Sequence, residues 1–143
     1  MAIQQLTIFV ENKKGKLVEI TRMLAENGIN MRALSIADTR DFGILRLIVD
    51  DIQKALVVLA ENGVMVKITD VVAAELPHRP GSLNATLTVL ADAGVNVEYL
   101  YAFLSSKGQG AYVVLRVADN AAAEKVLNEA GYRTLSMDDD LEF

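Results

Sequence analysis

The sequence predicts an α+β protein made of two tandem copies of one βαββαβ unit, residues 1–69 and 70–143, and three observations carry this reading. The stretch GKLVEITRMLAENGINM (Gly15 to Met31) lies on GSLNATLTVLADAGVNV (Gly81 to Val97) without a gap, an offset of 66 (81 − 15). After a two-residue insertion the match resumes, with Asp51 facing Asp119, Leu59 facing Leu127 and Gly63 facing Gly131, an offset of 68 (131 − 63). Within each copy the apolar spacing switches between period 2 and period 3.6 in the same order, strand, helix, strand, strand, helix, strand.

In the first copy Leu6, Ile8 and Val10 alternate with Thr7 and Phe9 over residues 3 to 11, a strand pattern. The loop ENKKGK follows, and then Leu17, Ile20 and Leu24 fall on one helical face. That helix stops at Asn27-Gly28, where glycine suits a left-handed cap. Residues 31–38 and 43–50 read as two strands joined by Thr39-Arg40-Asp41. Asp50 or Asp51 can cap a second helix carrying Ile52, Leu56 and Leu59 up to Asn62-Gly63, and residues 64–68 close the unit as a strand. The second copy repeats the order as strand 71–76, loop PHRPGS, helix 83–93, strands 95–104 and 111–117, helix 120–130 and strand 132–137. The junction Ile68-Thr69-Asp70-Val71 has neither Gly nor Pro, so a nearly continuous strand is expected across it. This order gives a ferredoxin-like arrangement, a four-stranded antiparallel sheet with both helices on one face. In ILRLIV, Leu45, Leu47 and Val49 point one way and Ile44, Arg46 and Ile48 the other. The helix-free face or the sheet edge is therefore expected to pack on the sister unit or on a second chain.

A chain of 143 residues leaves each half near the lower limit for an independent core, which favours pairing and suggests a homodimer. A net charge of −5 argues against nucleic-acid binding, because phosphate contacts need a concentrated basic surface. The absence of cysteine excludes disulfides, Cys-based zinc sites and thiol catalysis. No run approaches the apolar length that spans a bilayer, and the start MAIQQLTIFVENKKGK has no basic segment before an apolar one; a cytoplasmic protein without membrane contact is expected.

The junction of first strand and first helix reads VENKKGKL in one unit and LPHRPGSL in the other. Gly15 and Gly81 allow close backbone approach, and the N–H groups of the following helix start favour an anion such as a carboxylate. Asn30 and Asn96, fifteen residues further on, offer amides that both donate and accept, the combination a free amino acid needs. The plain structural account is that the glycines permit a tight turn and the asparagines end the helix, and on the residues alone both accounts stand. Tyr99, Tyr101 and Phe103 alternate on one strand with Tyr112 opposite, a stripe that packs on a neighbour or walls an apolar pocket. Asp138-Asp139-Asp140 could suggest a cation site, but a solvated chain end accounts for it.

LPHRPGSLNATLTVLADAGVNVEYLYAF resembles the signature of the ACT domain, an N/D/H-R-P-G-x-L loop, an amphipathic helix and then G-[IV]-N-[IV], and the repeat extends the resemblance over essentially the whole chain. The chain is thus similar to free-standing tandem ACT proteins without a catalytic domain. The resemblance implies binding of small molecules, usually amino acids, at interfaces between paired modules. Carried over by position, the ligand contacts are Asn12, Gly15, Lys16, Leu17 and Asn30 in the first unit and His78, Gly81, Ser82, Leu83 and Asn96 in the second. The first unit departs from the motif at Lys14, where the second has Pro80, so its loop is less pre-set.

Four other functions live on this topology. A metal chaperone needs paired loop cysteines, and there are none. An RNA-recognition module wants aromatics on a basic sheet, which this acidic chain does not supply. An acylphosphatase-like enzyme would use Arg79 and Asn96, but the first loop lacks a phosphate cradle. A protein-docking module without a small ligand remains the alternative. The reading that follows is a non-catalytic regulatory protein with no metal, cofactor or catalytic residue, binding a free amino acid and acting on a partner such as a metabolic enzyme.

Overall fold

Leu6, Ile8 and Val10, which alternate along the first strand, are all buried, and they seed the core of the first unit. The computed structural model describes residues 2–38, 40–104 and 110–137. The elements are β1 (Ile3–Glu11), α1 (Lys16–Glu26), β2 (Met31–Asp38), β3 (Phe42–Val49), α2 (Ile52–Glu61), β4 (Val66–Pro77), α3 (Ser82–Asp92), β5 (Tyr99–Leu104), β6 (Gly110–Arg116), α4 (Asn120–Glu129) and β7 (Arg133–Thr134). The strand order is β2-β3-β1-β4 for the first repeat and β5-β6-β4-β7 for the second. Both are the ferredoxin-like order, with antiparallel neighbours. The chain divides between Thr69 and Asp70 into two compact units, its first three residues grouping with the second. That division falls inside β4, which runs unbroken from Val66 to Pro77 as the junction sequence predicts.

Each unit buries the faces the sequence marks. Leu6, Ile8, Val10, Leu45, Leu47 and Val49 meet Ile20, Leu24, Ala55, Val58 and Leu59 of α1 and α2. In the second unit Val72, Ala74, Leu76, Val113, Leu115 and Val117 meet Leu90 of α3 and Ala123 and Leu127 of α4. Burying one such leucine contributes about 1.5–3 kcal/mol. Cross-strand partners share a face, so Phe9, Ile44 and Ala37 lie on the helix-free side, as do Ala73, Val114 and Tyr101. That side is not uniformly open: Gln5, Ala33 and Ile48 are buried in the first unit, and Val71, Ala73 and Tyr101 in the second. The buried Gln5 amide donates to Thr7 Oγ1 at 3.0 Å. Phe103 and Tyr112 face each other in register and stack, ring centres 5.2 Å apart, so this part of the aromatic stripe packs on itself.

Three strands begin later than the sequence suggests, for one physical reason. After each helix a glycine takes positive φ (Gly28, Gly63, Gly94 and Gly131, 67–93°), and the next residue donates its N–H back into the last turn. These bonds run from Ile29 to the Leu24 carbonyl, Val64 to Leu59, Val95 to Leu90 and Tyr132 to Leu127. A Schellman closure of this kind uses the N–H that a strand would need. Hence strand 64–68 merges into β4 from Val66, strand 95–104 starts at Tyr99, and strand 132–137 shrinks to Arg133–Thr134. Of the two candidate caps for α2, Asp51 is the one used, accepting from the Lys54 N–H at 3.0 Å, and Asp119 repeats this with Ala122 at 3.1 Å. Asp138, Asp139 and Asp140 lie outside the described residues.

Candidate functional site

Both strand-to-helix junctions are built the same way. Gly15 and Gly81 precede α1 and α3 at φ 87° and 88°, a left-handed conformation that strains any residue with a side chain. A Cβ at either position would meet nothing within 4 Å. The backbone conformation therefore demands glycine, and the space beside it is open. Neither helix start has a side-chain cap. Lys16 donates its N–H to the Lys13 carbonyl and Ser82 to that of Arg79, both at 3.3 Å. The next N–H groups, of Leu17 and Val18 and of Leu83 and Asn84, have no intrahelical acceptor.

Most of the sequence-selected residues surround these junctions. Asn12, Gly15, Leu17, His78, Gly81 and Leu83 are exposed, and Lys16 is half-buried. Ser82 is different: it is 8% exposed, and its buried Oγ finds no hydrogen-bond partner. Its own carbonyl accepts from Thr86 Oγ1 at 3.0 Å. Ser82 lines a cavity of about 490 Å³ together with Arg79, Pro80, Gly81, Ala85 and Tyr132. A second cavity, of about 590 Å³, opens on the other side of the loop beside His78, Arg79 and Arg133.

Asn30 and Asn96 are not brought to the junction of their own unit. The register pairs Glu11 with Phe42 at the loop end and Met31 with Val49 at the other, so Asn30 sits near the start of β1. From Leu6 to Glu11, five steps along β1, is about 17 Å. Asn30 instead extends the pairing of β2 with β3 by one step, donating its N–H to Asp50 Oδ1 at 3.0 Å while its carbonyl accepts from the Asp50 N–H at 3.1 Å. Asn96 is exposed, three residues before β5.

The sequence reading missed residues that share the cavities with the loops. In the first unit a cavity of about 450 Å³ is walled by Phe9, Phe42, Met65 and Ile20, with Glu11, Lys16 and Glu19 at its polar end. The repeat positions of Phe9, Phe42 and Met65 are Glu75, Gly110 and Arg133 in the second unit, and they line its loop-side cavity. The register confirms the equivalence, since Glu11 pairs with Phe42 as Pro77 pairs with Gly110. Following the offsets of 66 and 68 to the end of β1, the start of β3 and the start of the last strand would have found them. Glu75 and Arg133 form an ion pair at 3.5 Å. Lys13 sits 3.0 Å from Glu11 and hydrogen-bonds to its carboxylate, holding it below the usual carboxylate range, with Lys16 adding to the effect. Lys16 reaches Glu19 at 3.5 Å. Among the described residues no group of three or more His, Asp or Glu side chains could hold a metal ion, and no helix is long and apolar enough to cross a membrane.

Comparison with known proteins gives the same reading of the fold. A family model described as an ACT domain pair matches residues 1–141. A solved protein of Bacteroides thetaiotaomicron is 42% identical, covering 100% of this chain and 98% of that one, with a TM-score of 0.92. The ligand-free regulatory subunit of aspartate kinase from Thermus thermophilus is 18% identical over 90% of this chain and 91% of that one, with a TM-score of 0.64. The corresponding subunit from Thermus flavus is 17% identical, covers 91% and 94%, and has a TM-score of 0.61. No curated protein matches.

Proposed function

The chain belongs to the ACT domain pair family, and from that premise we propose that it is a non-catalytic regulatory protein that binds a free amino acid at the strand-to-helix loops of paired modules. The observation that carries the reading is Ser82. Its hydroxyl is buried without a partner at the uncapped start of α3, beside Gly81 in positive φ and on the wall of a cavity. An unpaired buried polar group costs about 1–3 kcal/mol, a cost that a ligand carboxylate taking the Ser82 hydroxyl and the Leu83 and Asn84 N–H groups would offset. Asn12, Gly15, Lys16 and Leu17 are the matching contacts in the first unit.

Because Asn30 and Asn96 lie at the far pole of their own unit, they serve a site only when the loop of one module faces the asparagine of another. Binding then favours one arrangement of modules over others and alters a partner's activity by that difference in affinity. A second reading, docking on a metabolic enzyme without a small ligand, is favoured by Leu34 and Ile36. They point to the helix side beside Leu47 and Leu45, yet are 56% and 47% exposed.

A thermal-shift screen against the free amino acids, with calorimetry on each hit, separates the two. At a hundredfold excess over Kd a ligand stabilises by about 2.7 kcal/mol, several degrees for a protein of this size. A selective shift that disappears in Ser82→Ala or Asn96→Ala supports the sensor. No shift with any amino acid moves the assignment to protein docking.

A further inference from the structure

Resting on the sensor reading, we propose that the junction of the first unit is specific for an amino acid with a large apolar side chain, aromatic or branched. Phe9 is 57% exposed, Phe42 49% and Met65 80%, although each lines the same cavity with buried Val10 and Ile20 and with Met23 and Val64. Exposed apolar side chains gathered on one concave surface mark a place where something apolar is received.

The fold does not require this lining. At the same positions the second unit carries Glu75, Gly110 and Arg133 on an otherwise equivalent framework, so the apolar wall is a property of the first site. The polar end of the cavity completes the match. Lys16 and the open N–H groups of α1 suit a carboxylate, and Glu11 and Glu19 suit an ammonium group. One wall for a zwitterionic head and an apolar wall for its side chain fit a free amino acid of this class better than they fit a charged one. A peptide segment or a second copy of the chain would use the apolar wall without needing the charged end.

Two measurements on the full chain test this. Calorimetry with L-phenylalanine, L-leucine and L-isoleucine, set against L-aspartate and L-lysine, should show binding of at least one apolar ligand. Phe9→Glu combined with Met65→Arg, which copies the Glu75–Arg133 pair, should weaken that binding at least tenfold. In the unaltered protein carrying methyl-labelled methionine, the same ligand should shift the NMR signals of Met65 and Met23 and leave Met31, on β2, in place. This second measurement does not depend on whether the double variant folds. Binding of an apolar ligand that leaves Met65 and Met23 unmoved but is lost in Ser82→Ala would overturn the inference and leave the sensor intact. Binding of aspartate or lysine alone would do the same. If no amino acid binds while the Met65 signal moves with protein concentration, a second copy covers the wall, and both the inference and the sensor reading fall.

Discussion

The two repeats share a backbone plan and differ in what they place on it. Where the first unit buries Ile8, Ile20 and Ile52, the second has Ala74, Thr86 and Asn120. Where the first exposes Phe9, Phe42 and Met65 at its junction, the second has Glu75, Gly110 and Arg133. The first unit is thus richer in apolar side chains both in its core and around its loop, and the second has exchanged some of each for polar groups. Both copies share the features that set the backbone, namely the positive-φ glycines Gly15, Gly28 and Gly63 and their counterparts Gly81, Gly94 and Gly131, the Asp51 and Asp119 caps and the leucines at Leu24 and Leu90, Leu59 and Leu127. The differences fall both on buried core positions and on positions that line the cavities.

The largest expected effect probes the cores. Leu24→Ala and Leu90→Ala each remove a fully buried leucine and should cost about 2–5 kcal/mol. The loss is expected to be greater for Leu24, which is surrounded by more apolar volume; denaturant unfolding followed by hydrogen exchange on β3 and β6 measures it, and equal losses would mean that the polar replacements in the second core cost nothing. A smaller effect tests the junction backbone. Gly15→Ala and Gly81→Ala should each destabilise by about 1–2 kcal/mol through strain alone, because the added methyl meets no atom. A marked difference between them in thermal unfolding would show that the two loops are not held equally. The smallest effect concerns the proline present in only one loop. Lys14→Pro should stabilise by about 0.4–1 kcal/mol if the first loop follows the path that Pro80 fixes in the second. A fall in Tm would place the divergence in the loop backbone rather than in the residues lining the cavity.

Fold and repeat were legible because they rest on periodicity, and periodicity is written in residues such as Leu6, Ile8 and Val10 whose burial the pattern dictates. Strand starts were not, because Val64, Val95 and Tyr132 have the side chains of strand residues while their N–H groups are committed to closing the preceding helix. The junction glycines were legible as turn formers, and the structure adds why no other residue serves there. The position of the asparagines was legible along the chain but not in space: fifteen residues after the loop, the chain has crossed the unit and has not returned. The cavity walls went unread because Phe9 and Glu75 look like ordinary outward-facing strand positions until register places them beside the loop.

That separation has a consequence for how sites would be counted. If the loop and the asparagine of one module are two halves of different sites, a pair of modules related by a two-fold axis creates its sites in twos, one on each side of the axis. A change in one module of the pair removes half of one site and leaves the other whole, whereas the same change in both modules damages both sites. Mixing two defective proteins, one lacking the loop contact and one the asparagine, would regenerate an intact site in every mixed pair, as complementation between alleles does in a genetic cross.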